Sequence, residues 1–154
     1  MKMKKVLSEK IERGHEPLFK LPYDATIRQA AVYMSGAKIG AALVEAQGGN
    51  GDFAGIVTER DIMNCCARGM DLDMVKVRDV MTTDMIFADA EDMVRPVVML
   101  MTRNHIRHIP LKENGRIVAL ISIRDIMHAV DEEKDITINE LSDYLGCNSR
   151  NQVY

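Results

Sequence analysis

No apolar run in this 154-residue chain reaches the roughly 18 residues needed to cross a bilayer. The opening stretch MKMKKVLSEKIERGHE is charged throughout and has no apolar signal segment. The expectation is a soluble, cytoplasmic protein without a membrane partner. Excess positive charge is also missing. Twenty Lys and Arg against 23 Asp and Glu leave a net charge of -3, so nucleic acid held through neutralised phosphates is not the expected partner. Cysteines are few and odd in number: Cys65, Cys66 and Cys147. A bridge between the two neighbours would be strained, which fits reduced thiols in a reducing compartment. Cys65 and Cys66 fall in the second half of an expected helix with no Cys-x-x-Cys partner, so they read as packing or idle thiols rather than ligands or nucleophiles.

What is present suffices for one compact unit: 47% of positions are hydrophobic and 28% charged. Charge is unevenly spread. Residues 1–20 hold six Lys or Arg against three acids, and residues 131–154 hold six acids against two basic residues, so the ends are expected to attract one another weakly. The 12 methionines fall mainly at helical apolar positions (Met34, Met63, Met101, Met127), where they suit core or adaptable interface packing.

An internal repeat organises the chain. Ile27, Ala30, Ala31 and Met34 have the i, i+3, i+4, i+7 spacing of an amphipathic helix, and Val94, Val97, Val98 and Met101 repeat it 67 residues on. GIVTERDIM (Gly55 to Met63) lines up with ALISIRDIM (Ala119 to Met127) at an offset of 64, the difference falling in the loop before each motif. Between helix and motif, 41–46 and 106–112 read as strands, and 117–121 as a buried strand. Asn114-Gly115 signals a tight hairpin, whereas the first repeat uses the Gly-rich loop 47–52. Each repeat reads helix, strand, turn, strand, helix, the second helix opening at Thr58 or Ser122. Neither repeat can bury a core alone, so the two should pack into one pseudo-symmetric α+β domain.

The hydroxyl of Thr58 or Ser122, with Asp61 or Asp125 three residues on, has a plain reading as a helix cap. The same geometry suits phosphate at a helix N-terminus and a carboxylate on the two hydroxyls of a ribose. Arg60 and Arg124 stand in the first turn of both helices, where a guanidinium opposes the dipole. A bound polyphosphate would offset that cost, and a solvated surface arginine is the alternative.

Two strands ending in [Thr/Ser]-x-Arg-Asp-Ile-Met, each preceded by an amphipathic helix and a strand, together with Asp79-Val80-Met81-Thr82 and Ile106-Arg-His-Ile-Pro-Leu111, resemble a tandem pair of CBS domains, a Bateman module. The resemblance covers about residues 18–131. It divides the chain into a basic segment 1–17, repeats 18–68 and 79–131 around a linker 69–78, and an acidic extension 132–154. In that extension Thr137 to Leu145 reads as a short helix stopped at Gly146, with a mobile end from Asn148.

The resemblance implies a non-catalytic regulatory module that binds an adenosine-containing ligand between the repeats: AMP, ADP or ATP, with NAD(H) or S-adenosylmethionine as further candidates and no obligatory cofactor. It implies one site at Thr58, Arg60 and Asp61 with Ile39, Gly40, Ala41 and on to Leu43 as slot wall. The other site falls at Ser122, Arg124 and Asp125 with Ile106, Arg107, His108, Ile109 and Pro110. Ala119 stands where the family usually has Gly, and its methyl group is expected to crowd a ligand. The resemblance further implies a homodimer formed through helices and a separate regulated protein. A ligand-free dimeric interaction scaffold is the alternative. A Cys-His hydrolase lacks an activating context for its thiol. His105 and His108, three apart on a strand, point to opposite faces, so no metal site is expected.

Overall fold

The computed structural model describes the backbone of residues 1–49 and 51–144 and the side chains of residues 1–49 and 51–134. In the first repeat, β1 (Lys20–Leu21) is followed by α2 (Ile27–Ala37), β2 (Ala41–Glu45), β3 (Phe53–Thr58) and α3 (Glu59–Ala67), after α1 (Met3–Glu12) has led in. The second repeats that order as β4 (Ala88–Asp89), α5 (Val94–Arg103), β5 (His108–Glu113), β6 (Arg116–Ser122) and α6 (Ile123–Tyr144), after the single turn α4 (Val77–Val80).

Each repeat forms a three-stranded mixed sheet. β1 runs parallel to β2, which is antiparallel to β3, and β4, β5 and β6 are related in the same way. Even the register irregularities correspond, between Val44 and Glu45 in one half and between Leu111 and Lys112 in the other. The hairpin at Asn114 and Gly115 forms with φ of 50° and 77°, the positive values that a two-residue turn requires.

Alternation along the strands divides the apolar residues among three cores. Ala42, Val44 and Val57 face α2 and α3, packing on Ile27, Ala30, Met34 and Cys65. Ile109, Leu111, Ala119 and Ile121 pack in the same way on Val97, Met101 and Ile126. The opposite faces meet each other: Ala41, Leu43 and Ile56 of the first sheet close on Leu120 of the second. β2 is thus buried on both sides, which is why it reads Ala-Ala-Leu-Val without polar alternation.

The lead-in segments cross over. Met3 and Val6 of α1 are fully buried in the core of the second repeat, while Val77 of α4 is fully buried in the core of the first. Met81-Thr82 then runs along β3, where Ile56 and Thr82 exchange backbone bonds of 3.0 and 2.9 Å. A Cβ on Gly55 would stand 2.7 Å from the Thr82 carbonyl oxygen, so this close approach requires glycine.

Several sequence expectations need correction. Residues 1–17 are not merely a basic segment, because Met3, Val6, Leu7 and Lys10 carry the helical stripe of α1. Strand β5 begins at His108 rather than Ile106, and His105 stands before it with φ of 53°. The acidic extension does not begin a separate short helix at Thr137; α6 is continuous from Ile123 to Tyr144. The expectations for Gly146 and for 148–154 lie outside the described residues.

Candidate functional site

Both capping motifs form, and both face clefts between the repeats. Asp61 Oδ2 accepts bonds from Thr58 N (2.7 Å) and Thr58 Oγ1 (2.8 Å), while Asp61 N donates back to Thr58 Oγ1. Asp125 Oδ2 accepts the equivalent bonds from Ser122 N (2.8 Å) and Ser122 Oγ (2.6 Å), with Asp125 N donating to Ser122 Oγ. The cap reading is therefore realised, and it holds each carboxylate at the mouth of a helix N-terminus. Arg60 and Arg124 are exposed beside them and line the two clefts.

The clefts measure about 330 and 790 Å³, within the range of small-molecule sites. The smaller holds Thr58, Arg60 and Asp61, but its far wall is Ile106, Arg107, His108 and Pro110 of the second repeat, with the 84–86 segment beside it. The larger holds Ser122, Arg124 and Asp125 against Ile39, Gly40 and Ala41 of the first repeat, with Phe19. Ile39 and Ala41, and likewise Ile106 and Pro110, thus line the opposite cleft from the sequence expectation, which matched each motif with the strand of its own repeat, whereas Gly40, Arg107 and His108 line the expected cleft and the other as well. The physical reason is the sheet-to-sheet packing: the strand faces not turned to their own helices are turned to the other repeat. Ile109 lines neither cleft, because its side chain is fully buried in the core of the second repeat. Ala119 likewise lies in that core and lines neither cleft, contrary to the expectation that its methyl group crowds the site.

Gly40, Glu59, Arg107 and His108 belong to both clefts and form the partition between them. Arg107 Nη2 donates to Glu59 Oε1 at 2.7 Å, linking the repeats across this partition. The His108 ring reaches over Gly40, where a Cβ would stand 3.0 Å from its Cε1. Burial and the adjacent Arg107 guanidinium push the imidazole below its ordinary value, outweighing Glu59 and Asp125.

One residue of the larger cleft is absent from the sequence expectation. Lys10 of α1 is only 5% exposed, and its ammonium donates to Asp125 Oδ2 at 3.1 Å and to the Leu120 carbonyl oxygen at 2.8 Å. Burial alone would push the Asp125 carboxyl up, but the Ser122 hydroxyl and amide bonds and the Lys10 ammonium hold it below the usual carboxylate range. The available signal was positional: Lys10 takes the i+7 place of the stripe begun by Met3, Val6 and Leu7.

Cys65 is buried beside α2, and burial raises its thiol pKa, as expected of a packing cysteine. Among the described residues no three His, Cys, Asp or Glu side chains converge as metal ligands. Nor, among them, is any helix long and apolar enough to cross a membrane.

Two α+β repeats in pseudo-symmetry, each delivering a capped helix N-terminus to a cleft shared with the other, define a tandem-repeat module. The CBS domain family profile matches residues 12–68 and 77–132, and the chain belongs to that family as a Bateman-type CBS pair. It is 33% identical over 125 residues to the mitochondrial CBS domain-containing protein CBSX3 of Arabidopsis thaliana, covering 79% of this chain and 61% of that one. With the Arabidopsis protein CBSCBSPB3 it shares 28% identity over 109 residues, 70% of this chain and 19% of the relative, so the chain spans only part of these relatives. A CBS-domain protein from Agrobacterium tumefaciens matches with a TM-score of 0.73 and 28% identity, over 84% of this chain and 98% of that one. A CBS domain protein from Pyrobaculum aerophilum, solved in complex with AMP, matches with a TM-score of 0.70 and 28% identity over 81% and 89% of the two chains.

Proposed function

We propose that this chain is a non-catalytic sensor that binds an adenosine-containing ligand between its repeats, an adenine nucleotide before NAD(H) or S-adenosylmethionine. The observation that carries the reading is the duplicated helix mouth: a carboxylate fixed by its own Thr or Ser, an arginine in the first turn, and a cleft of ligand size in front. The carboxylate accepts the ribose hydroxyls, the free helix N–H groups and the arginine take phosphate, and the apolar strand faces take the base. The AMP complex of the Pyrobaculum relative supports the same ligand class.

Each cleft contains residues of both repeats, so a ligand that draws its two walls together favours one arrangement of the module over another. That differential affinity is the signal, read by a separate protein. The outward faces of α2, α3, α5 and α6 expose Val32, Tyr33, Met63, Met99 and Met127, and a homodimer through these helices covers them.

Thermal unfolding of the full chain with AMP, ADP, ATP, NAD(H) and S-adenosylmethionine, repeated on Asp61→Ala and Asp125→Ala, tests the reading. Ligand at a hundred times its dissociation constant adds about 2.7 kcal/mol, a rise of several degrees. No rise with any of these ligands would leave the interaction scaffold as the reading.

A further inference from the structure

Resting on the ribose reading above, we propose that Lys10 decides which cleft a ribosyl ligand enters: it occupies the carboxylate of the Ser122 cleft and directs the ligand to the Thr58 cleft. The two carboxylates are otherwise alike, each taking a backbone N–H and a hydroxyl from its cap residue. They differ in one group. Among the described residues Asp61 has no ammonium or guanidinium within ion-pair distance, whereas the Lys10–Asp125 pair is closed at 3.1 Å with side chains only 7% and 10% exposed.

A ribose diol arriving at Asp125 must displace the ammonium or share the carboxylate with it. A displaced Lys10 keeps one acceptor, the Leu120 carbonyl oxygen, and is left as a buried cation without its counter-ion. Helix α1 cannot relieve this by swinging away. Met3 and Val6 are fully buried in the second core, and Met3 N and Lys4 N each donate at 2.8 Å to the 90–92 turn. Lys2 and Lys4 further pair with Glu91. Charge at the helix mouths thus differs although the motifs match: among the described residues only the carboxylate of the larger cleft has a cation on the oxygen that its cap residue also bonds, and the smaller cleft offers a carboxylate with its full negative charge.

Calorimetric titration of the full chain with adenosine and with AMP tests the assignment. The parent protein should show one strong event, abolished in Asp61→Asn, with affinity at the Ser122 cleft weaker by about tenfold or more. Lys10→Met leaves Asp125 in the situation of Asp61 and should add a second strong event, while Lys10→Arg keeps the charge and should not. Should Lys10→Met fail to fold, the Nζ resonance of Lys10 in the unmodified protein carries the test. It should stay in place through the first equivalent of ligand.

Two equal events in the parent, weaker binding in Lys10→Met, no second event in a folded Lys10→Met, or a Lys10 resonance that moves with the first equivalent would overturn the assignment while the sensor reading stands. No binding of any adenosine ligand to the parent would overturn both.

Discussion

The two halves of this protein share strand order, register irregularity and capping geometry, yet the segments laid over them differ. A ten-residue helix leads into the first repeat and packs on the second; a single turn leads into the second and packs on the first. The longer element has the reach to place Lys10 against Asp125, and α4 brings nothing comparable to Asp61. The motif builds the same helix mouth twice, and the crossing segment makes the two mouths chemically different.

The largest expected effect separates the two carboxylates. Asp125→Ala leaves the Lys10 ammonium buried without its partner and should cost about 3–5 kcal/mol in denaturant unfolding. Asp61→Ala loses a cap alone, about 0.5–2 kcal/mol. Equal losses would erase the distinction between the halves. Next comes the core they share: Leu43, fully buried between the sheets, should cost about 2–5 kcal/mol on truncation to Ala. A single unfolding transition in that variant would show the repeats still melting together, and two transitions would show them uncoupled.

Gly55→Ala should destabilise by about 1–3 kcal/mol, because its Cβ meets the Thr82 carbonyl. Ala119, the corresponding position of the second repeat, already holds a methyl group within its core. An unchanged melting temperature for Gly55→Ala would show that the Met81-Thr82 segment yields easily.

The smallest effect is in pH. His108 is held below its ordinary value of 6.5, so the unfolded chain protonates first and stability should fall as the pH drops below that value, levelling once the folded group also protonates. The lowered Asp125 carboxyl contributes stability that is present above the ordinary value of 3.8 and is lost as the pH falls through its folded value. His108→Gln should remove the first phase alone, measured as melting temperature against pH. A first phase that survives in that variant would assign it elsewhere.

Much of this architecture was legible along the chain because it is written twice. The duplicated stripes Ile27–Met34 and Val94–Met101 and the duplicated Arg-Asp-Ile-Met identified the helices, the central strands and the capping residues, since all of these follow from local periodicity and local hydrogen bonds. The strands β1 and β4 were not legible, being two residues each and held only by pairing with β2 and β5. Helix α1 was obscured by its charge, and the continuation of α6 into the extension by the charged run Asp131-Glu-Glu-Lys-Asp135. A reading centred on each motif therefore put the slot walls within one repeat, whereas the cleft belongs to two.

By itself the sequence determined the family, the pseudo-symmetric pair, and which Thr, Ser, Arg and Asp stand at the two helix mouths, because spacing within about ten residues dictates helix faces and caps. Only the tertiary structure decided which strand faces which mouth and that Lys10, 115 residues from Asp125, closes one of them. Contacts across that separation depend on how two sheets and a crossing helix pack, and no local period in the chain encodes that packing.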